Sequence, residues 1–236
     1  MSMIPVPTTP KHECTLPISK KKVTFRGFLV KEEKILLLAA EEEDYKSADI
    51  QAAIKQTLTN CTFDAVDIGK LPTADVEYLF VQIRINSVSN EVDGTVKCPH
   101  CEVRNDYIID LNKVEVVNDV KDLNIRLDDD ILVTMSYPTL GSITSPELNY
   151  TGPDEDLAII ASMIEMITVN DKVMHRDDMS IKDIMIWMEY LNSKQIAKLN
   201  AFLEQLPRIA YVDKVKCKGC GGDVTVYMEG LSDFFI

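Results

Sequence analysis

Four of the six cysteines occur in two C-x-x-C pairs, Cys98/Cys101 and Cys217/Cys220. Cysteine thiolates are the ligands that zinc takes most often in structural sites, and a C-x-x-C turn presents two of them side by side. Two such turns supply all four ligands of a tetrahedral site and leave no position for a reactive water. The sequence therefore predicts one structural zinc ion bound by these four cysteines.

The stretches around both pairs favour a zinc ribbon, because β-prone residues precede and follow each turn. The second turn also contains Gly219, Gly221 and Gly222, which give its backbone the freedom that a tight knuckle needs. A common zinc ribbon has roughly 15 to 20 residues between its two pairs. Here 216 − 101 = 115 residues separate them. We therefore expect a long inserted region, held by the metal at both of its ends.

Other interpretations of the cysteines and histidines stay open. A thioredoxin-like redox site needs one C-x-x-C in a βαβ setting, and the thiols could also be free. His100 lies inside the first turn and could replace one cysteine as a ligand, although we expect its ring to be exposed beside the metal. His12 and Cys14 are expected to be incidental, and Cys61 is expected to be a small buried residue.

The periodicity of the sequence predicts an α+β fold. We expect an extended arm at residues 1–14, a hairpin plus helical region at 15–91, zinc-ribbon halves at 92–116 and 209–236, and an inserted β and helical region at 117–208.

Local patterns predict the individual elements. Two β-prone runs at 15–18 and 23–28 favour a hairpin, and further strands are expected at 123–127 and 131–137. Apolar residues at helical spacing, with capping residues before them, predict helices at 31–43, 50–60, from Pro72 onward, 154–169, 180–191 and 193–206.

Composition and charge exclude several classes of function. With 25 Lys+Arg against 38 Asp+Glu, the net charge of −13 repels nucleic acid and anionic lipid. The apolar runs are too short to cross a membrane, and the N-terminus does not resemble a signal peptide, so we expect a soluble protein in the cytoplasm. Three histidines without the context of a triad, and no glycine-rich phosphate loop, predict a protein that is not an enzyme and acts by binding.

Several stretches together resemble the baseplate proteins of T4-like contractile-tailed bacteriophages, the family that contains the baseplate hub subunit and hub assembly proteins. The similarity is clearest over residues 15 to 140 and is carried by KKVTFRGFLVKEEKILLLAAE, AIKQTLTNC, KLPTADVEYLFVQIRINSVSNEV and MSYPTL. It implies a virus-encoded protein, made in the host bacterial cytoplasm, that joins or helps to assemble the hub of the tail baseplate.

In that setting the protein would be a chaperone or a minor structural subunit that binds other hub proteins. We expect its docking surfaces to be apolar, around Trp187 and the C-terminal Phe234-Phe235-Ile236.

Two rival functions follow from the cysteines alone. A zinc-ribbon module that binds nucleic acid would use local positive charge, which Lys97, Arg104, Lys214, Lys216 and Lys218 supply. The same cations could instead compensate the negative thiolates. A metalloenzyme would need a zinc ion with an open ligand position, which four cysteines do not leave.

Overall fold

The computed structural model describes residues 8–40, 48–118, 120, 122–148 and 150–234. Helices and small antiparallel sheets alternate along the chain, so the predicted α+β fold is confirmed. The chain divides into two compact units. Unit 1 comprises Met1–Ile68, Ala74–Val117 and Arg208–Ile236, and unit 2 comprises Gly69–Thr73 and Asn118–Pro207. Residues 1–7 of the predicted arm, and Phe235 and Ile236 of the tail, lie outside the described residues.

The elements are numbered in chain order. The strands are β1 His12–Thr15, β2 Lys22–Phe25, β3 Glu91–Lys97, β4 Arg104–Asp110, β5 Glu115–Val117, β6 Asn124–Arg126, β7 Ile131–Met135, β8 Ile164–Val169, β9 Lys172–His175, β10 Arg208–Lys216 and β11 Asp223–Glu229. The α-helices are α1 Val30–Ala40, α2 Ala48–Cys61, α3 Thr73–Ile85, α4 Leu140–Ile143, α5 Pro153–Ser162, α6 Ile181–Met188, α7 Ser193–Glu204 and α8 Gly230–Phe234. None of the described helices combines the length and the apolar character that a membrane crossing needs.

The N-terminal hairpin of unit 1 forms as predicted, but its first strand begins three residues earlier than expected. Strand β1 pairs antiparallel with β2, so that His12 lies opposite Phe25 and their rings stack 5.7 Å apart. The predicted strand at 15–18 contains Pro17, which cannot donate a hydrogen bond to a partner strand. The pairing therefore moves toward the N-terminus and uses residues that were expected to belong to the arm.

Helices α1, α2 and α3 confirm the predicted helical stretch. Helix α3 begins directly after Pro72 and buries one apolar side, which includes Leu79, Phe80 and Ile83. Asp75 in its first turn is fully buried, and its carboxylate accepts the backbone N–H groups of Ile18 and Ser19 at 2.7 and 2.8 Å. This side chain attaches the turn of the hairpin to the N-terminus of the helix.

Two further hairpins complete unit 1. Strand β3 pairs with β4, and β10 pairs with β11, each antiparallel over seven residue pairs. Strand β5 adds to the other edge of β10, with Val117 opposite Arg208. The chain therefore leaves unit 1 after Val117 and re-enters it at Arg208, two residues that lie opposite each other in the antiparallel pairing of β5 with β10.

Unit 2 is built on the four-stranded antiparallel sheet β6-β7-β8-β9. The helix predicted over 154–169 is wrong in its second half, because α5 ends at Ser162 and Ile164–Val169 is strand β8, paired with β7. Ile164, Ile167 and Val169 are β-branched and favour this outcome. The next strand, β9, ends at His175, which is exposed.

Two of the stretches that carry the family resemblance pair with each other inside unit 2. Leu71-Pro72-Thr73 runs antiparallel to Pro138-Thr139-Leu140: the N–H of Leu140 donates to the carbonyl of Leu71, and that of Thr73 donates to the carbonyl of Pro138. Leu71 and Leu140 are buried. A Cβ at Gly141 would lie 2.8 Å from the carbonyl oxygen of Gly69, so this approach requires glycine.

Candidate metal centre

The two cysteine turns have the same local structure. We name residues 98–103, between β3 and β4, the first knuckle, and residues 217–222, between β10 and β11, the second knuckle. In each, the first cysteine follows the last residue of one strand and six residues form the connection. Lys97 pairs with Arg104 at the base of the first knuckle, and Lys216 pairs with Asp223 at the base of the second.

The hydrogen bonds of the two knuckles match position by position. The N–H of Cys98 donates to the carbonyl of Val103, and that of Cys217 donates to the carbonyl of Gly222, both at 2.9 Å. The backbone N–H two residues after each first cysteine points at its sulfur: His100 to Cys98 Sγ at 3.4 Å, and Gly219 to Cys217 Sγ at 3.3 Å. The turns therefore orient their thiols by backbone geometry.

The fifth residue of each knuckle has a positive φ, which is 61° at Glu102 and 73° at Gly221. Only glycine adopts this conformation without cost. The two knuckles also approach each other closely, since a Cβ at Gly219 would lie 2.9 Å from Cγ2 of Val103. Gly221 is therefore needed for its backbone conformation and Gly219 for the close approach of the knuckles.

The fold brings all four predicted cysteines together. The Sγ atoms of Cys98, Cys101, Cys217 and Cys220 lie within 4.8 Å of one another and could hold a metal ion. Cys98 Sγ is 3.7 Å from Cys220 Sγ, and Cys101 Sγ is 3.4 Å from Cys217 Sγ. Cys98 and Cys217 are buried, Cys101 is half-buried and Cys220 is exposed. One cysteine of each knuckle therefore faces the interior.

The pKa values of the Cys101 and Cys217 thiols are shifted in opposite directions. The backbone N–H of Cys220, followed by that of Gly219, lowers the pKa of Cys217 to about 6. The backbone N–H of Val103 favours the thiolate of Cys101, but the hydrogen bond with Cys217 and burial outweigh it and raise the pKa of Cys101 to about 12. The two thiols thus titrate as a coupled pair, and a metal ion bound by both sulfur atoms would displace the proton between them.

Asn105 also belongs to this centre, although no sequence pattern selects it. It is buried at 1% exposure on β4. Its Nδ2 donates to the carbonyl of Val103 at 3.0 Å and lies 3.6 Å from Cys217 Sγ, while its Oδ1 accepts the N–H of Lys218 at 2.7 Å. Its partners are up to 113 positions away in the chain, so no local pattern could have identified it.

The cations around the knuckles are largely paired with carboxylates. Lys97 lies 3.5 Å from Glu102, Lys216 lies 2.7 Å from Asp223, and Lys218 lies 3.0 Å from Asp106. All six side chains are well exposed, so each pair contributes little to stability. Their effect is to reduce the free positive charge beside the thiols.

The other candidate residues lie outside this cluster. The ring of His100 is exposed and does not belong to the group of ligand atoms. His12 and Cys14 lie on β1, and Cys61 is fully buried as expected. Trp187 packs partly against the core of unit 2, and Phe234 is buried, so neither is a freely exposed anchor.

A comparison with protein families identifies the chain. The family model described as T4 bacteriophage base plate protein matches residues 9–236. The chain belongs to this family. The resemblance drawn from residues 15 to 140 is thereby confirmed and extended over nearly the whole sequence. No match was found among the curated proteins or among the solved structures.

Proposed function

We propose that this base plate protein is a zinc-containing subunit or assembly factor of the baseplate hub, and that it acts by binding other tail proteins and has no catalytic activity. The observation that carries the proposal is the convergence of Cys98, Cys101, Cys217 and Cys220 from two equivalent knuckles. The zinc ion would have a structural role, since four protein thiolates complete its coordination.

The sulfur positions fit zinc. Four thiolates bound at about 2.3 Å in a regular tetrahedron have sulfur–sulfur edges of about 3.8 Å. The two short pairs, at 3.7 and 3.4 Å, are close to that value. The small apolar cluster at the knuckles supports the same conclusion. Among the described residues its buried members are Cys98, Cys217 and Val224, and Val96, Cys101 and Val215 are partly buried against them. So small a core favours a metal as the main link between the knuckles.

The hub role rests on the family and on the resemblance to hub proteins. Family membership favours a structural role over an enzymatic one. We infer that the protein is made in the host cytoplasm, engages hub components there, and serves either as a chaperone or as a minor structural subunit of the finished tail. Other hub proteins are the partners that this role implies, and small-molecule substrates have no part in it.

A nucleic-acid-binding ribbon is the rival function. It is disfavoured by the net charge of −13 and by the pairing of Lys97, Lys216 and Lys218 with carboxylates. A protein that neutralises phosphates loses affinity steeply as salt rises. A titration of binding to duplex and single-stranded DNA at 50 and 200 mM salt tests this rival. We expect no binding to either DNA at either salt concentration.

The zinc proposal is tested by elemental analysis of protein purified without added metal. We expect one zinc per chain, and about none in Cys217→Ser. A Cys14→Ser variant is the control, because Cys14 lies on β1 outside the cluster. Zinc in equal amounts in the two variants would refute the assignment of these ligands.

The hub role is tested by co-purification from infected cells. We expect the tagged protein to bring down identified hub components from assembly intermediates. Comparing these intermediates with mature virions distinguishes a chaperone, which is absent from virions, from a structural subunit, which is present. Association only with tail components outside the hub would contradict the proposal.

A further inference from the structure

The two hairpins that carry the knuckles are equivalent in position but differ in one buried residue. Equivalent residues of the two hairpins are 119 positions apart in the sequence: Val96 corresponds to Val215, Cys98 to Cys217 and Cys101 to Cys220. By the same spacing, Asn105 of β4 corresponds to Val224 of β11. Both of these last residues are 1% exposed, but one side chain is an amide and the other is apolar.

Both the oxygen and the nitrogen of the Asn105 side-chain amide form hydrogen bonds. Its Oδ1 accepts the N–H of Lys218, the residue after Cys217, at 2.7 Å. Its Nδ2 donates to Val103 at 3.0 Å and also faces Cys217 Sγ at 3.6 Å. A buried amide is costly unless its polar atoms are hydrogen-bonded, so this side chain has little freedom to turn elsewhere. It therefore links the first hairpin to the backbone and sulfur of the second knuckle.

We propose that Asn105 is a positioning residue of the metal centre, which holds the second knuckle in its ligating conformation and donates a hydrogen bond to the sulfur of Cys217. This inference rests on the proposed zinc site. Residues that hydrogen-bond to metal ligands orient them and tune the metal, and their loss typically lowers metal affinity about 10- to 100-fold.

The environment makes the two knuckles chemically different. The sulfur of Cys217 receives the side-chain donor of Asn105 in addition to the N–H of Gly219. The sulfur of Cys98 accepts the equivalent backbone N–H of His100, but the residue that corresponds to Asn105 in the other hairpin is the apolar Val224. A hydrogen bond to a thiolate withdraws electron density from sulfur. The bond between the metal and Cys217 should therefore respond to a change at Asn105, whereas the bond to Cys98 should not.

The test uses two substitutions and a matched control on the full-length protein. Asn105→Asp keeps the size and the acceptor for Lys218 but replaces the donor with a negatively charged carboxylate, and Asn105→Val, which reproduces the residue of the equivalent position, removes the donor without adding charge. Asn90→Asp is the control, because Asn90 donates to Asp110 at 3.2 Å at the other end of the same hairpin, with no thiol in contact.

Zinc affinity is measured by competition with a chelator, and the Co²⁺-loaded proteins are examined by absorption spectroscopy. For both Asn105 variants we expect an affinity about 10- to 100-fold below that of the unsubstituted protein. We also expect a shift of the sulfur-to-cobalt charge-transfer band to longer wavelength. Asn90→Asp should change neither quantity.

The band position separates a positioning role from a loss of stability, because general destabilisation lowers the amount of cobalt bound but does not move the band. Unshifted bands and unchanged affinity in both Asn105 variants would overturn the proposal while leaving the zinc site intact. Failure of the unsubstituted protein to bind zinc or cobalt would instead refute the metal site itself.

Discussion

Unit 2 and the knuckle region of unit 1 are held together in different ways. In the described part of unit 2, sixteen buried residues form one apolar cluster, with Ile164, Ile167 and Leu199 among its fully buried members. The cluster between the knuckles has three buried residues, and two of them are cysteines. Each fully buried Leu or Ile contributes about 1.5 to 3 kcal/mol by leaving water. Unit 2 therefore has an apolar core of its own, whereas the knuckles depend on their sulfur atoms.

The comparison also changes what the metal is expected to do. From the sequence alone, the metal was expected to hold the inserted region at both of its ends. In the structure those ends are already joined by the pairing of β5 with β10, where Val117 lies opposite Arg208. The proposed zinc ion would instead bind the tips of two hairpins, so its removal should loosen the tips more than the ends of the insertion.

The largest expected effect is that of Cys217→Ser, compared with the zinc-loaded unsubstituted protein. Structural zinc contributes about 10 to 16 kcal/mol of apparent binding free energy in finger peptides at pH 7. Loss of a buried ligand should remove most of it and unfold the knuckles. Thermal unfolding followed by calorimetry should show a transition of unit 1 lowered by well over 5 °C, with that of unit 2 unchanged. Cys14→Ser should leave both transitions in place.

A substitution in the core of unit 2 should have the opposite effect: it should destabilise unit 2 and leave the zinc site intact. Leu199 on α7 is fully buried, and Leu199→Ala removes apolar contacts and leaves a cavity, at a cost of about 2 to 5 kcal/mol. Denaturant unfolding measures this loss, and the zinc content should stay at one per chain. Tyr190→Ala is the control, since Tyr190 is 85% exposed and its removal should change stability by about 0.5 kcal/mol or less. Loss of zinc from Leu199→Ala would show that the two regions are not independent.

The folding stability should depend on pH through Glu77 on α3, whose carboxyl accepts the backbone N–H of Ile209 in β10. Burial raises the pKa of its carboxyl from 4.5 to about 7, although the backbone N–H of Ile209 favours the charged form. Between these values the folded protein binds more protons than the unfolded chain, so stability falls as pH rises from about 4.5 to 7. At 1.36 kcal/mol per pKa unit the full effect is roughly 3 kcal/mol.

Glu77→Gln keeps an acceptor for Ile209 and cannot ionise. The variant should therefore gain stability relative to the unsubstituted protein as pH rises through this window, with little difference at pH 4. Urea unfolding of both proteins across pH 4 to 8 gives this difference directly, because effects of pH on the zinc site are common to both. A constant difference between the two proteins would contradict the predicted role of Glu77.

The smallest expected effect distinguishes the two knuckles. Gly221→Ala places a side chain at φ 73° and should cost about 1 kcal/mol. Glu102 occupies the equivalent position at φ 61° and already has a side chain, so Glu102→Ala should change stability by only a few tenths of a kcal/mol. Unfolding of the zinc-loaded variants measures both values. Equal costs would indicate that backbone strain does not distinguish the knuckles.

Much of the fold could be predicted because its signals are local. A C-x-x-C turn orients two thiols through its own backbone, so the four cysteines were correctly grouped despite the 115 residues between the pairs. Pro72 and the apolar spacing behind it identified the start of α3. The knuckle hairpins were predicted for the same reason, since their strands adjoin the cysteine turns.

The errors occurred where distant partners decide the structure. Ile164–Val169 continues an apolar pattern that is compatible with a helix, and pairing with β7 makes it a strand. The shifted first strand of the N-terminal hairpin is different, because the local residue Pro17 already disfavours a paired strand at 15–18. Asn105 could not be found because its contacts with Cys217 and Lys218 depend on the approach of two hairpins far apart in sequence.

Hydrogen exchange with and without a zinc chelator tests the central claim most directly. We predict that chelation removes amide protection from peptides covering 91–110 and 208–229, most strongly near residues 98–103 and 217–222. Protection in unit 2 should stay within error of the zinc-loaded protein, because its apolar core does not involve the metal. Unchanged protection at both knuckles after zinc has left would contradict the account, as would a loss of protection spread evenly over both units.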